Sequence, residues 1–147
     1  MRTKNNGELR INNVGEKVTL CGWCNKKRDL GGLIFIDLRD RWGITQITVN
    51  PNNPNYEKAL NVKNEYVLKV EGTVLERENK NSTIPTGDIE VVAEELAILS
   101  TAEQPPMLIQ DNTDALEDTR MKYRYLDLRR PHMQKNLIMR HKATIAI

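Results

Sequence analysis

Five stretches of the chain alternate apolar and polar residues with a period of two, as strands that bury one face do. The first runs from Lys17 to Lys27 and places Val18, Leu20, Gly22 and Cys24 on one side. A glycine in the middle of such a run predicts a sharp bend or a close approach of another backbone. Gly31-Gly32 breaks the pattern, and a second strand follows from Leu33 to Arg39. There Ile34, Ile36 and Leu38 face the core, while Phe35, Asp37 and Arg39 face outward. Asp40-Arg41-Trp42-Gly43 reads as a tight turn, leading into a third strand from Ile44 to Val49. The segment Pro51-Asn52-Asn53-Pro54-Asn55 interrupts the sheet, and the spacing beyond it predicts a short helix over Tyr56 to Lys63, with Tyr56, Leu60 and Val62 inward. A fourth strand spans Glu65 to Arg77, with Tyr66, Leu68, Val70, Gly72 and Val74 in alternation. A polar loop over residues 79–87 separates it from a fifth, Asp88 to Leu99.

Three strands, a short helix and two more strands is the element order of an OB-fold, a five-stranded Greek-key barrel. The chain is therefore expected to be mainly β over residues 1–104, with Leu9, Ile11 and Val14 adding apolar contacts ahead of the first strand. Pro105-Pro106 cannot continue a sheet and favours an extended linker, placed at residues 105–123. Within it, Asp111-Asn112-Thr113 offers caps to a helix from about Asp114 to Met121, acidic at its start and basic after Arg120, an order that suits the helix dipole. A last helix is expected from His132 to Ile147, with Met133, Leu137, His141 and Ile145 near one stripe. It has no stop signal, so the sequence reads as a truncated piece of a longer protein. His132 and His141 have no partner pattern and read as structural or solvated.

Composition narrows the class. The 147 residues are 39% hydrophobic and 29% charged, and no apolar run approaches membrane-spanning length. No secretory signal follows Met1, which makes the cytoplasm the expected location and excludes a membrane role. The net charge of +2 conceals segregation: residues 25–41 carry five Lys and Arg, residues 88–118 nine acidic residues and no Lys or Arg, and residues 120–147 eight basic residues. Blocks of this kind point to a polyanion that touches particular surfaces; for any block taken alone, a solvated charged face is the better account.

The two cysteines form Cys21-Gly22-Trp23-Cys24, a C-x-x-C. Zinc needs four ligands, and neither a second Cys pair nor a His pair stands at ligand spacing. On a strand, positions i and i+3 point to opposite faces, so no metal site and no redox role is expected. The stretch Lys26-Lys27-Arg28-Asp29-Leu30-Gly31-Gly32-Leu33-Ile34-Phe35 carries more chemistry. Phe35, the chain's single phenylalanine, falls on the outer face among charges. An exposed aromatic beside Lys and Arg is what stacking on an unpaired base requires; packing beneath a neighbouring loop is the alternative.

The blocks Val18-Thr19-Leu20-Cys21-Gly22-Trp23, Arg28-Asp29-Leu30-Gly31-Gly32-Leu33-Ile34-Phe35-Ile36-Asp37-Leu38-Arg39-Asp40, Gly43-Ile44-Thr45-Gln46, Gly87-Asp88-Ile89-Glu90-Val91 and Lys122-Tyr123-Arg124-Tyr125-Leu126-Asp127-Leu128-Arg129-Arg130 together resemble the N-terminal part of bacterial-type aspartyl-tRNA synthetases. Lysyl- and asparaginyl-tRNA synthetases share the barrel, while the Arg-Asp-Leu-Gly-Gly-Leu-Ile-Phe run points to the aspartyl branch. The resemblance implies a class II enzyme whose N-terminal barrel binds the tRNA anticodon loop. It implies that Phe35 stacks on the central uridine, that Gln46 hydrogen-bonds that base, and that Arg28 contacts the loop backbone and a base. It further implies that Glu90 helps read the first anticodon base, that Arg77 and Asn81 reach the third, and that Lys63 meets a phosphate.

By the same resemblance residues 124–147 begin the catalytic domain. ATP and Mg2+ belong to a full-length homodimeric parent; for this stretch no catalytic residue and no cofactor is expected. A free-standing OB-fold binder of single strands is the competing expectation.

Overall fold

The computed structural model describes residues 1–146, which form two compact units divided between Gln104 and Pro105. In the first, five strands close into a barrel: β1 (Lys17–Leu30), β2 (Leu33–Arg39), β3 (Ile44–Val49), β4 (Val67–Glu76) and β5 (Ile89–Ser100), in the order β1-β2-β3-β5-β4. All neighbouring pairs are antiparallel except β3 and β5, which run parallel. Helix α1 (Tyr56–Leu60) lies between β3 and β4. The expected five-stranded architecture, with its helix after the third strand, is the one observed.

The core is the predicted alternation made solid. Leu20, Ile34, Ile36, Leu38, Ile47, Leu68, Val70 and Val74 are fully buried. Each such side chain contributes roughly 1.5–3 kcal/mol by leaving water. Gly22 sits where β1 is crowded: a Cβ there would stand 2.4 Å from the carbonyl oxygen of Arg39 and 2.9 Å from Nδ2 of Asn6. That amide is itself committed, donating to the Cys21 carbonyl at 3.0 Å. Gly22→Ala is therefore expected to cost about 2 kcal/mol by overpacking, read as a lowered thermal midpoint of the barrel.

Several boundaries and contacts differ from expectation. β1 continues three residues beyond Lys27, because Lys27, Arg28, Asp29 and Leu30 stay paired with β2 up to the Gly31-Gly32 turn. α1 ends at Leu60 instead of Lys63; Ala59 and Val62 are the buried residues there, and Leu60 is 38% exposed. Only Leu9 of the early apolar residues enters the core, Ile11 and Val14 being exposed on a single 3-10 turn. β4 starts at Val67, not Glu65. Glu65 takes a left-handed conformation (φ 65°), and both its carboxylate oxygens accept from Nη2 of Arg39 at 2.9 Å. An outward arginine of β2 is thus used to pin the approach to β4.

The second unit contains α2 (Glu117–Lys122), α3 (Arg124–Asp127) and α4 (Pro131–Ala146). α2 begins three residues later than expected, and the block around Tyr123–Leu128 forms its own short helix. Pro131 opens α4, a position where its missing N–H costs nothing, and Asp111 accepts from the His132 amide at 3.0 Å. The expected final residue of this helix, Ile147, lies outside the described residues. Leu126 packs with Met107 and Ile109. Asp127 is buried and takes hydrogen bonds from Arg120 Nε at 3.0 Å, Arg124 Nη1 at 2.6 Å and Arg130 Nε at 2.8 Å. Among the described residues no helix is long and apolar enough to cross a membrane.

Candidate nucleic-acid interface

The outer face of β1, β2 and β3 carries the chemistry, and register explains which side chains meet. Arg28 pairs with Phe35 across β1 and β2, and Phe35 with Thr48 across β2 and β3, giving one cross-strand row. The next row holds Lys26, Asp37 and Gln46. Side chains in neighbouring rows reach one another diagonally. Arg28 does so: its Nη2 donates to Asp37 Oδ1 at 2.8 Å and to Gln46 Oε1 at 3.3 Å. Its guanidinium carbon also lies 6.0 Å from the Phe35 ring centroid, a cation–π contact.

β5 supplies the other side. Oε2 of Glu90 accepts from Gln46 Nε2 at 2.8 Å and from Thr48 Oγ1 at 2.7 Å. A continuous polar chain, Asp37–Arg28–Gln46–Glu90–Thr48, therefore runs across four strands. The Nε of Arg28 is buried and finds no hydrogen-bond partner, a cost of about 1–3 kcal/mol that the site carries.

Arg28, Phe35, Gln46, Thr48 and Glu90, but not Asp37, line an open cleft of about 500 Å³ together with Leu30, Leu33, Arg77, Asn79 and the edge of β4. The cleft brings together Arg28, Phe35, Gln46, Arg77 and Glu90 of the expected site. It does not include Lys63 or Asn81. Lys63 follows α1 on the surface, away from the cleft lining. Asn81 shapes its own loop: its Oδ1 accepts from the backbone N–H and hydroxyl of Thr83, and its backbone N–H donates to the Gly87 carbonyl at 3.0 Å. Asn79 stands at the cleft in its place.

Two further expectations change. Phe35 is half-buried, not fully exposed, and Gln46 is only 5% exposed because its amide is clamped from both ends. The basic run does not act as a unit either. Lys27 donates to the Leu60 carbonyl at 2.6 Å, at the end of α1, and of Lys26, Lys27 and Arg28 only Arg28 lines the cleft. The lining carries Glu76, Glu78 and Glu90 against Arg28 and Arg77. A carboxylate-rich wall repels phosphate, so this cleft suits base edges bearing donors more than a sugar–phosphate backbone.

Thr48 and Asp37 were not read from the sequence as site residues, although each shares the outer period-two face with a residue that was. The cysteines lie on the two faces of β1: Cys21 is half-buried outside, and Cys24 is buried, its thiol pushed up to about 11 by burial. Among the described residues no cluster of His, Cys, Asp and Glu is arranged to hold a metal ion.

Residues 18–99 match the tRNA anti-codon family, described as an OB-fold nucleic acid binding domain. The chain belongs to this family. The stretch matched takes in all five strands but for Lys17 at the start of β1 and Ser100 at the end of β5, and every residue of the cleft lining. Aspartate–tRNA ligase of Bacteroides thetaiotaomicron is 51% identical over 99% of the chain, and that of Clostridium botulinum (strain Okra) is 52% identical over 92%. The chain spans about a quarter of the length of these curated relatives, 25% and 23% respectively. Among solved structures, asparaginyl-tRNA synthetase from Pyrococcus horikoshii aligns with a TM-score of 0.73 and 32% identity, covering 87% of this chain and 30% of that one. The OB-fold domain is thus similar to parts of both aspartyl and asparaginyl enzymes.

Proposed function

We propose that this OB-fold domain reads the anticodon loop of a tRNA as part of an aspartate–tRNA ligase. One observation carries the reading: a half-buried aromatic, an arginine, an amide and a carboxylate from four strands converge on one cleft. Phe35 offers a stacking surface, which is tolerant of base identity. Gln46 supplies both a donor and an acceptor for a base edge. Glu90 accepts from a base donor, and Arg28 and Arg77 meet loop oxygens. The 51% identity to aspartate–tRNA ligases favours the aspartyl branch over the asparaginyl or lysyl one and over a free-standing binder.

In this reading residues 1–104 are the anticodon-binding domain, 105–123 a hinge and 124 onward the start of a catalytic domain. The longer enzyme, a cytoplasmic homodimer, joins aspartate to tRNA with ATP and Mg2+, and no step of anticodon reading runs through either. Lys63 and Asn81 remain assigned to outlying contacts with the loop backbone and the third base.

Binding of an anticodon stem-loop, measured against loops with each base changed, tests the proposal. Gln46→Ala is expected to lower discrimination at the central base by roughly threefold to tenfold, the worth of one net hydrogen bond. Equal affinity of the unaltered domain for a scrambled loop would refute it.

A further inference from the structure

The geometry points to Thr48 as a positioning residue that sets which oxygen of Glu90 is presented to a base. This inference rests on the anticodon-reading function proposed above.

Gln46 and Thr48 are alternate residues of β3 and so stand on the same face, about two strand rises apart. Their donors nonetheless meet at a single atom, Oε2 of Glu90, at 2.8 and 2.7 Å. Two convergent donors from one strand fix both the position and the rotation of a carboxylate on the next. Oε1 takes no hydrogen bond among the described residues, which leaves it as the acceptor turned toward a ligand. A base edge carrying an N–H donor is the matching chemistry.

Thr48 lines the cleft but has no free hydroxyl hydrogen to offer a ligand. It is 5% exposed, lies opposite Phe35 in the register, and its hydroxyl hydrogen is committed to Glu90. Its influence also reaches Gln46. An amide can flip end for end, and its orientation is set by its partners. Here Arg28 holds the Oε1 end and Glu90 the Nε2 end. Loosening the Glu90 carboxylate releases one of these two constraints. The β3 hydroxyl thus orders both base-reading groups while its own hydrogen stays committed to Glu90.

The test uses the chain as it is, with stem-loop RNAs carrying each of the four bases at each anticodon position. Glu90→Gln identifies the loop position that this carboxylate senses. Thr48→Val keeps size and β-branching and removes only the hydroxyl. It is expected to lower base preference at that same position by about threefold to tenfold, leaving the salt dependence of binding unchanged. Thr48→Ser, which restores the donor, is expected to recover the preference. Unchanged preference in Thr48→Val would overturn the inference, as would a uniform loss for all loops that serine does not rescue. So would a Glu90→Gln variant that alters no position. An unaltered chain that binds scrambled loops equally removes the function itself; one that discriminates, beside a Thr48→Val variant that discriminates as well, removes only the role of Thr48.

Discussion

Phe35→Ala is expected to weaken binding to every anticodon-like loop, by about 1–3 kcal/mol. That corresponds to roughly fivefold to 150-fold in the dissociation constant. The expectation follows from where the ring lies. Phe35 points out of the barrel between two core residues, Ile34 and Ile36, that are fully buried on the other side of β2. Removing it leaves the core intact, so the loss appears in binding and not in folding. Its partner in the cleft, the Arg28 guanidinium, stays tied to Asp37 and Gln46. Because stacking is indifferent to base identity, the loss should be similar for matched and mismatched loops, in contrast to Gln46→Ala. Fluorescence titration of a labelled stem-loop at fixed salt measures both. Unchanged affinity in Phe35→Ala, with the thermal midpoint also unchanged, would exclude stacking on this ring.

The largest expected effect on stability lies in the second unit. Asp127 has no exposed surface, and three arginines, from α2, from α3 and from the residue just before α4, converge on it. Asp127→Asn removes the charge that all three share and leaves the buried guanidinium of Arg130 uncompensated. Breaking a buried pair in this way costs about 3 kcal/mol, toward the lower end of its range because Arg120 and Arg124 keep partial access to water. Faster amide exchange across residues 105–146, with the barrel transition unmoved, is the expected result. Unaltered exchange there would remove Asp127 as the organising group.

The same knot gives a pH dependence. Burial pushes the Asp127 carboxyl up, but hydrogen bonds and charge from Arg120 and Arg130 outweigh it and hold the group below its ordinary 3.8. A depressed carboxylate contributes stability above its unfolded-state value and loses it as the pH falls through the folded-state one. Order in the second unit should therefore decline below about pH 3.8, and Asp127→Asn should abolish that part of the acid response.

The barrel was legible because burial and strand geometry leave their trace residue by residue. Ile34, Ile36 and Leu38 alternate as an inner face must, and Gly22 marked a bend or a crowded backbone, of which the structure shows the second. Phe35 and the basic run with Arg28 stood out by their chemistry, whereas Gln46, Arg77 and Glu90 were implied by the resemblance alone. Where the reading went astray, a local signal had been outvoted. Leu60 has the right spacing for the core, but Ala59 and Val62 occupy it. Glu65 alternates correctly for a strand, but its pairing with Arg39 holds it in a turn.

By itself, then, the sequence determined the element order, the inner faces of the strands and the inventory of groups able to meet a base. Period-two alternation and turn chemistry are local properties and need no partner. Which of those groups meet was decided by tertiary structure alone. Register set Arg28 diagonal to Asp37 and Gln46, and barrel closure laid β5 beside β3, bringing Glu90 to Gln46 and Thr48. Residues more than forty positions apart share one oxygen there because a closed sheet has no free edge, and that proximity is written in no stretch of the chain.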